Sequence, residues 1–131
     1  MKKRVVTSEE AYQGVLHGNA GIFRILIDEE IAGAKNFALS MNTTNSGVIG
    51  EPHTHQVEQC TYILEGKGRI YQEGKVYTVG PGTAIYSPAG VPHRLDSIGK
   101  SDLTYLVIYA PSGPEKELKT KGADAFRLNH A

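Results

Sequence analysis

Three of the five histidines in this chain lie in two segments rich in glycine and proline. His53 and His55 are one residue apart, and Gln59 keeps the same odd parity. Alternate residues of a strand point to the same face, so these three side chains are expected to converge. His93 follows a Gly-Val-Pro turn that would aim it back along its strand. Neutral imidazole nitrogens and an amide oxygen suit a divalent transition metal ion, so the pattern predicts a metal site.

Glu58 is the rival of Gln59 as a ligand, because a carboxylate also has the chemistry to bind a metal. On a regular strand its side chain faces away from His53 and His55, whereas Gln59 faces them. A bulge at the turn around Gln56 would reset this parity. We therefore expect Gln59 in the site and keep Glu58 as the alternative.

The two segments resemble the two conserved motifs of the cupin superfamily. The matching positions are Gly47, His53, His55, Gln59 and Gly66 in the first segment and Gly82, Pro88, Gly90 and His93 in the second. The resemblance implies a double-sheet jelly-roll β-barrel with one divalent metal ion per chain inside. Its ligands would be His53, His55, Gln59 and His93, and the ion could be Zn, Mn, Fe, Ni or Cu. Two positions depart from the family pattern: Gln59 replaces the usual Glu, and Ser97 replaces the usual Asn.

Composition limits the possible partners. The 131 residues suit a single domain, and the formal net charge of zero implies no general attraction to nucleic acid or an anionic membrane. The expected partners are a small molecule and a second copy of the chain. A single cysteine, Cys60, and a basic start without an apolar signal core predict a reducing cytoplasm.

Hydrophobic residues alternate with a period of two over short segments, which predicts an all-β fold of the jelly-roll type with a short N-terminal extension and a C-terminal tail. The predicted strands are 22–27, 36–43, 59–64, 68–72, 75–79, 83–87, 93–96 and 103–109. A short helix is expected over Ser8–Val15, with Ser8 as its N-cap, and a surface helix over Gly113–Gly122. His17 and His130, in the outer regions, are predicted to be ordinary surface residues.

We divide the single domain into an N-terminal extension (1–35), a barrel (36–111) and a surface tail (112–131). The extension contains a strand around Phe23 that is apolar on both faces, which favours a homodimer with this strand at or across the interface. Small cupins commonly dimerise through such strands, so the resemblance implies the same assembly.

A metal held only by neutral ligands would keep its full charge toward a substrate and could stabilise an enolate or alkoxide. This favours a lyase or isomerase acting on a small oxygenated molecule such as a sugar acid or keto acid. A dioxygenase of a small chelating substrate and a noncatalytic small-molecule binding module are the alternatives. The candidate substrate-contacting residues are Tyr105 and Tyr109, which share a face of the last strand, and Arg24 and Arg69, if their strands turn them inward.

Overall fold

A computed structural model describes residues 2–121 and confirms the predicted all-β jelly-roll fold. The strands of the described chain are β1 (Tyr12–Leu16), β2 (Gly21–Ile27), β3 (Ala38–Thr44), β4 (Glu58–Glu65), β5 (Gly68–Gln72), β6 (Lys75–Val79), β7 (Ala84–Ser87), β8 (His93–Ser97) and β9 (Leu103–Ala110). They form one sheet of six strands in the order β1-β2-β3-β9-β4-β7 and one of three strands in the order β6-β5-β8. Every pairing within the two sheets is antiparallel.

The main core lies between the inner faces of the two sheets. On β9, alternate residues from Leu103 to Tyr109 are buried, and they meet Ile63 of β4 and Ile70 of β5. The period-two pattern therefore places Tyr105 and Tyr109 on one inner face, as their spacing predicts. This face forms the wall against which the candidate site is built.

The N-terminal segment corrects one expectation. Ser8–Glu10 forms only a single 3₁₀ turn, which Thr7 and Glu10 cap reciprocally, and the chain then enters β1 instead of a helix. β1 pairs with β2 over its whole length. A side chain at Gly14 would overlap the ring of Phe23, so this glycine allows close cross-strand packing and does not end a helix. Both strands belong to the large sheet.

Two helices accompany the sheets. The four-residue α1 (Glu29–Ala32), which the sequence pattern did not indicate, begins at Asp28, whose carboxylate accepts a hydrogen bond from the backbone N–H of Ile31. Helix α2 (Pro114–Lys121) lies within the segment predicted to form a surface helix, Gly113–Gly122, but is docked against the barrel. Its Leu118 packs in a second apolar cluster with Leu16, Phe23 and Ile25. The Nζ of Lys119 also donates to Oδ2 of the buried Asp28 at 2.7 Å.

Residues 122–131 of the predicted tail, with His130, lie outside the described residues. None of the helices within residues 2–121 is long and apolar enough to cross a membrane.

Candidate metal centre

A pair of backbone hydrogen bonds joins the two histidine-bearing segments. The N–H of His53 donates to the carbonyl of His93 at 2.8 Å, and the N–H of His93 donates back at 2.9 Å. The N–H of Gly90 also donates to the carbonyl of His55 at 2.6 Å. His53 thus lies in an isolated bridge and not in the regular strand that the parity argument assumes, because β4 begins only at Glu58.

The structure places Gln59 and Glu58 on opposite faces of β4. Gln59 is buried, and its Nε2 donates to Oγ1 of Thr61 at 3.0 Å. Glu58 is exposed on the outer face, where its carboxylate accepts a hydrogen bond of 2.6 Å from the hydroxyl of Tyr86. Of the two rival side chains, only that of Gln59 lies with the histidines.

One cavity brings the four predicted ligands together. His53, His55, Gln59 and His93 all line this cavity, which has a volume of about 80 Å³. The ring centroids of His55 and His93 are 5.2 Å apart, with their planes inclined by 49°. The ring of Tyr109 meets His55 edge-on at 5.4 Å. Such a volume holds several water molecules or part of a small organic ligand.

Burial favours the neutral form of His55 and His93. Burial is the largest cause that lowers the pKa of His55, to about 3, and the charges of His93 and His53 lower it further. A side-chain hydrogen bond with Gln59 partly offsets this effect. Burial also lowers the pKa of His93, against a backbone hydrogen bond with Val91. Neutral imidazole is the form that binds a metal, so both rings are ready to serve as ligands at neutral pH.

The residues present suit a divalent metal ion. Two imidazoles bound to one tetrahedral ion have ring centroids about 5 Å apart, which the separation of His55 and His93 matches. The Oε1 atom of Gln59 is a buried acceptor that faces His55, because Nε2 donates to Thr61 and the hydrogen bond with Gln59 raises the pKa of His55. A buried acceptor of this kind is well suited to bind a cation. Within the described residues, however, no three His, Cys, Asp or Glu side chains already form a metal-holding group, so the imidazoles would have to rotate on binding.

The other predicted site residues divide into two groups. Tyr105 and Tyr109 line the cavity, and burial raises the pKa of both phenols. Arg24 and Arg69 do not line it, so the inward orientation on which their role as substrate anchors depends is not seen at this cavity. Arg24 donates to the carbonyl of Met41 and the hydroxyl of Thr43 at 3.5 and 3.3 Å. No lysine or arginine of the described chain is part of the cavity wall.

His17 is a cavity residue that the sequence reasoning assigned to the surface. It follows β1, lines the cavity and has a left-handed backbone with φ = 51°. Burial lowers its pKa, and the neighbouring charge of Glu51 opposes that effect. His17 reaches the cavity because β1 pairs with β2. The sequence pattern predicts a helix in this segment and therefore misses the pairing.

A buried carboxylate holds the loop that carries His53. Asp96 of β8 accepts a hydrogen bond of 2.8 Å from the N–H of Gly50, and the guanidinium of Arg94 binds its two oxygens at 3.1 and 2.9 Å. A side chain at Gly50 would overlap the carbonyl oxygen of Leu95, so the backbones approach closely here. This contact fixes the loop against the strand that begins with His93.

The fold and the site define a small β-barrel with a histidine-rich centre. The profile of the cupin domain family matches residues 42–109, which include both histidine segments and most of the barrel. The chain belongs to the cupin family.

Solved structures agree with this assignment. KdgF from Halomonas sp. has a TM-score of 0.75 at 16% identity, over 88% of this chain and 99% of that one. The polyketide cyclase RemF from Streptomyces resistomycificus has a TM-score of 0.73 at 29% identity, over 87% and 82%. A study of the Mn(II) centres of oxalate decarboxylase from Bacillus subtilis gives a structure with a TM-score of 0.73 at 20% identity, over 88% of this chain and 32% of that one. Under 25% identity, such similarity shows the fold alone.

Proposed function

We propose that this cupin is a metal-dependent lyase or isomerase that acts on a small oxygenated molecule. The observation that carries the proposal is that the four candidate ligands, His53, His55, Gln59 and His93, line one cavity whose described wall contains no lysine or arginine. Apart from the carboxylate of Glu51, the groups that a substrate oxygen meets in this cavity are neutral donors and acceptors, with no lysine or arginine to anchor it. A metal ion held by the four candidate ligands would supply the positive charge that such an oxygen lacks in this cavity.

His53, His55, Gln59 and His93 would hold the ion, which would supply Lewis acidity toward a carbonyl or hydroxyl. The protein's own groups would bind and orient the substrate around it. The raised pKa of Tyr109 keeps its phenol protonated, so its hydroxyl can donate a hydrogen bond to a substrate oxygen. Val107, Ile70 and Leu95 supply apolar walls that exclude water and strengthen polar interactions within the cavity.

Two relatives support this proposal. RemF, at 29% identity, is a polyketide cyclase, and cyclisation of a polyketide acts on a molecule rich in carbonyl and hydroxyl groups. The Mn(II) centres of oxalate decarboxylase support a divalent metal in a barrel of the same fold.

The metal site can be tested by elemental analysis of protein purified without added metal. We expect one divalent transition metal ion per chain and a large loss of metal in His53→Ala, His93→Ala and Gln59→Ala. Glu58→Ala is the matched control, because Glu58 adjoins Gln59 but faces outward, and it should retain the metal. Full metal content in a double His53→Ala, His93→Ala variant would refute the proposed site.

The reaction class can be tested with a panel of keto acids, unsaturated uronates and diketones, assayed with and without dioxygen. We expect turnover that needs the metal but not dioxygen, and its loss in His93→Ala. Turnover that requires dioxygen would instead identify a dioxygenase. Binding of panel compounds without turnover would favour a noncatalytic binding module.

Assembly and location form part of the same proposal. Ile22 and Ile108 are 38% and 36% exposed on the outer face of the large sheet, which supports a homodimer through this face. Sedimentation at micromolar protein concentration should give twice the monomer mass, and a monomer throughout would contradict this. The single free cysteine, Cys60, supports a reducing cytoplasm.

A further inference from the structure

Asn42 is a buried polar residue on the cavity wall, away from the candidate metal ligands. It lies on β3, its side chain is only 6% exposed, and it lines the same cavity as the histidines. Its Oδ1 atom has no hydrogen-bond partner among residues 2–121. Buried carboxamides are normally satisfied at both ends, so this acceptor is open to a group that enters the cavity.

The amide nitrogen of Asn42, in contrast, takes part in a hydrogen bond. Asn42 pairs directly with Tyr105 of β9, and a side-chain hydrogen bond joins the two residues. The Tyr105 hydroxyl in turn lies 3.2 Å from Oγ1 of Thr44. A chain of hydrogen bonds from Asn42 through Tyr105 to Thr44 therefore uses the amide nitrogen and fixes the side chain. It leaves the amide oxygen without a partner, on a residue that lines the cavity.

The strand register shows how far this oxygen is from the metal centre. Asn42 is opposite Tyr105, whereas Gln59 is opposite Tyr109, four residues further along β9. At about 3.4 Å per residue, the two rows are about 14 Å apart along the strand. A two- or three-carbon molecule at the metal centre is too short to reach Asn42. A longer chain can contact both.

We propose that Asn42 determines substrate specificity by accepting a hydrogen bond from a hydroxyl at the far end of a substrate whose carbonyl lies at the metal centre. This inference rests on the proposed function and narrows its substrate class to extended hydroxylated carbonyl compounds. A hydroxyl suits this position because it donates to the unpartnered amide oxygen and adds no charge to a cavity whose described wall has no lysine or arginine.

The test is calorimetric binding to the protein as purified, with two probes that differ by one hydroxyl and are long enough to span the two rows: 2-oxooctanoate and 8-hydroxy-2-oxooctanoate. We expect the wild type to bind the hydroxylated probe about fivefold more tightly, the contribution of one hydrogen bond. Asn42→Leu, which keeps the shape of the side chain, should bind both probes equally. Ser40→Ala is the matched control, because Ser40 is also buried with an unpartnered oxygen on the same face of β3 but does not line the cavity.

The result that would overturn the inference is the same preference for the hydroxylated probe in Asn42→Leu and in the wild type. Failure of the wild type to distinguish the two probes, or to bind either, would also overturn it. The metal content of the wild type separates these outcomes from a failure of the proposed function, because a missing metal would refute both proposals. Thermal unfolding verifies that Asn42→Leu is folded, and Asn42→Ala replaces it if it is not.

Discussion

Lowering the pH of the metal-free protein from 7 to 5 should destabilise it, because His55 is buried as a neutral imidazole. The pKa of His55 is lowered to about 3 in the folded protein, against an ordinary value of 6.5. Below pH 6.5 the unfolded chain binds a proton that the folded chain does not. The stability that His55 contributes is therefore complete at neutral pH and is lost as the pH falls toward 3.

The size of this loss of stability depends on how far the pH lies below 6.5, the ordinary pKa of histidine. Each pH unit below 6.5 costs about 1.4 kcal/mol, so the loss from His55 alone amounts to about 2 kcal/mol at pH 5. The lowered pKa of His93 adds a loss in the same direction. Such a change is a large fraction of the stability of a small domain.

The assay is urea unfolding at several pH values in the presence of a chelator, for the wild type and for His55→Gln. The variant starts from a different free energy of unfolding, but its loss between pH 7 and pH 5 should be smaller by about 2 kcal/mol. Parallel pH profiles for the two proteins would refute the reasoning, because they would show that His55 is not held neutral by the fold.

Two further changes test the backbone of the site. His17→Gly should leave the free energy of unfolding within about 1 kcal/mol of the wild type, because relief of the left-handed φ of 51° offsets the greater freedom of glycine in the unfolded chain. A loss well above that in urea unfolding would contradict this. Gly50→Ala should cost about 2 kcal/mol and reduce bound metal, because its side chain would collide with Leu95. Gly80→Ala is the control, because a side chain at Gly80 meets no neighbouring atom, and it should change neither the stability nor the bound metal. Equal metal contents in Gly50→Ala and Gly80→Ala would refute this expectation.

The barrel could be predicted from sequence because both sheets bury one face. Strands such as Gly68–Gln72 and Lys75–Val79 have the bounds that their turn residues indicate. The same parity places Gln59 inside and Glu58 outside, even though the chain before them is not a regular strand. Side chains alternate between two faces in a short extended segment as they do in a regular strand. The prediction for Gln59 therefore did not require the hydrogen bonds of a strand.

The N-terminal segment could not be predicted in the same way. The sequence from Ser8 has a helix-capping pattern, but the pairing of β1 with β2 decides its structure, and such long-range contacts override weak local preferences. The position of His17 depends on that pairing. Similarly, no spacing indicates that Asn42 has an open amide oxygen, because this depends on the hydrogen bond that Tyr105 makes across the sheet.

The bridge between His53 and His93 would couple the proposed metal binding to folding. Its two members are roughly forty residues apart in sequence, so the ligands converge only after the intervening hairpin has closed. The unfolded chain therefore has no equivalent high-affinity site, and any ion that binds the folded barrel stabilises it by mass action. At a free metal concentration one hundred times the dissociation constant, the gain is about 2.7 kcal/mol. The availability of metal would thus set how much of this protein remains folded, whatever reaction the ion serves.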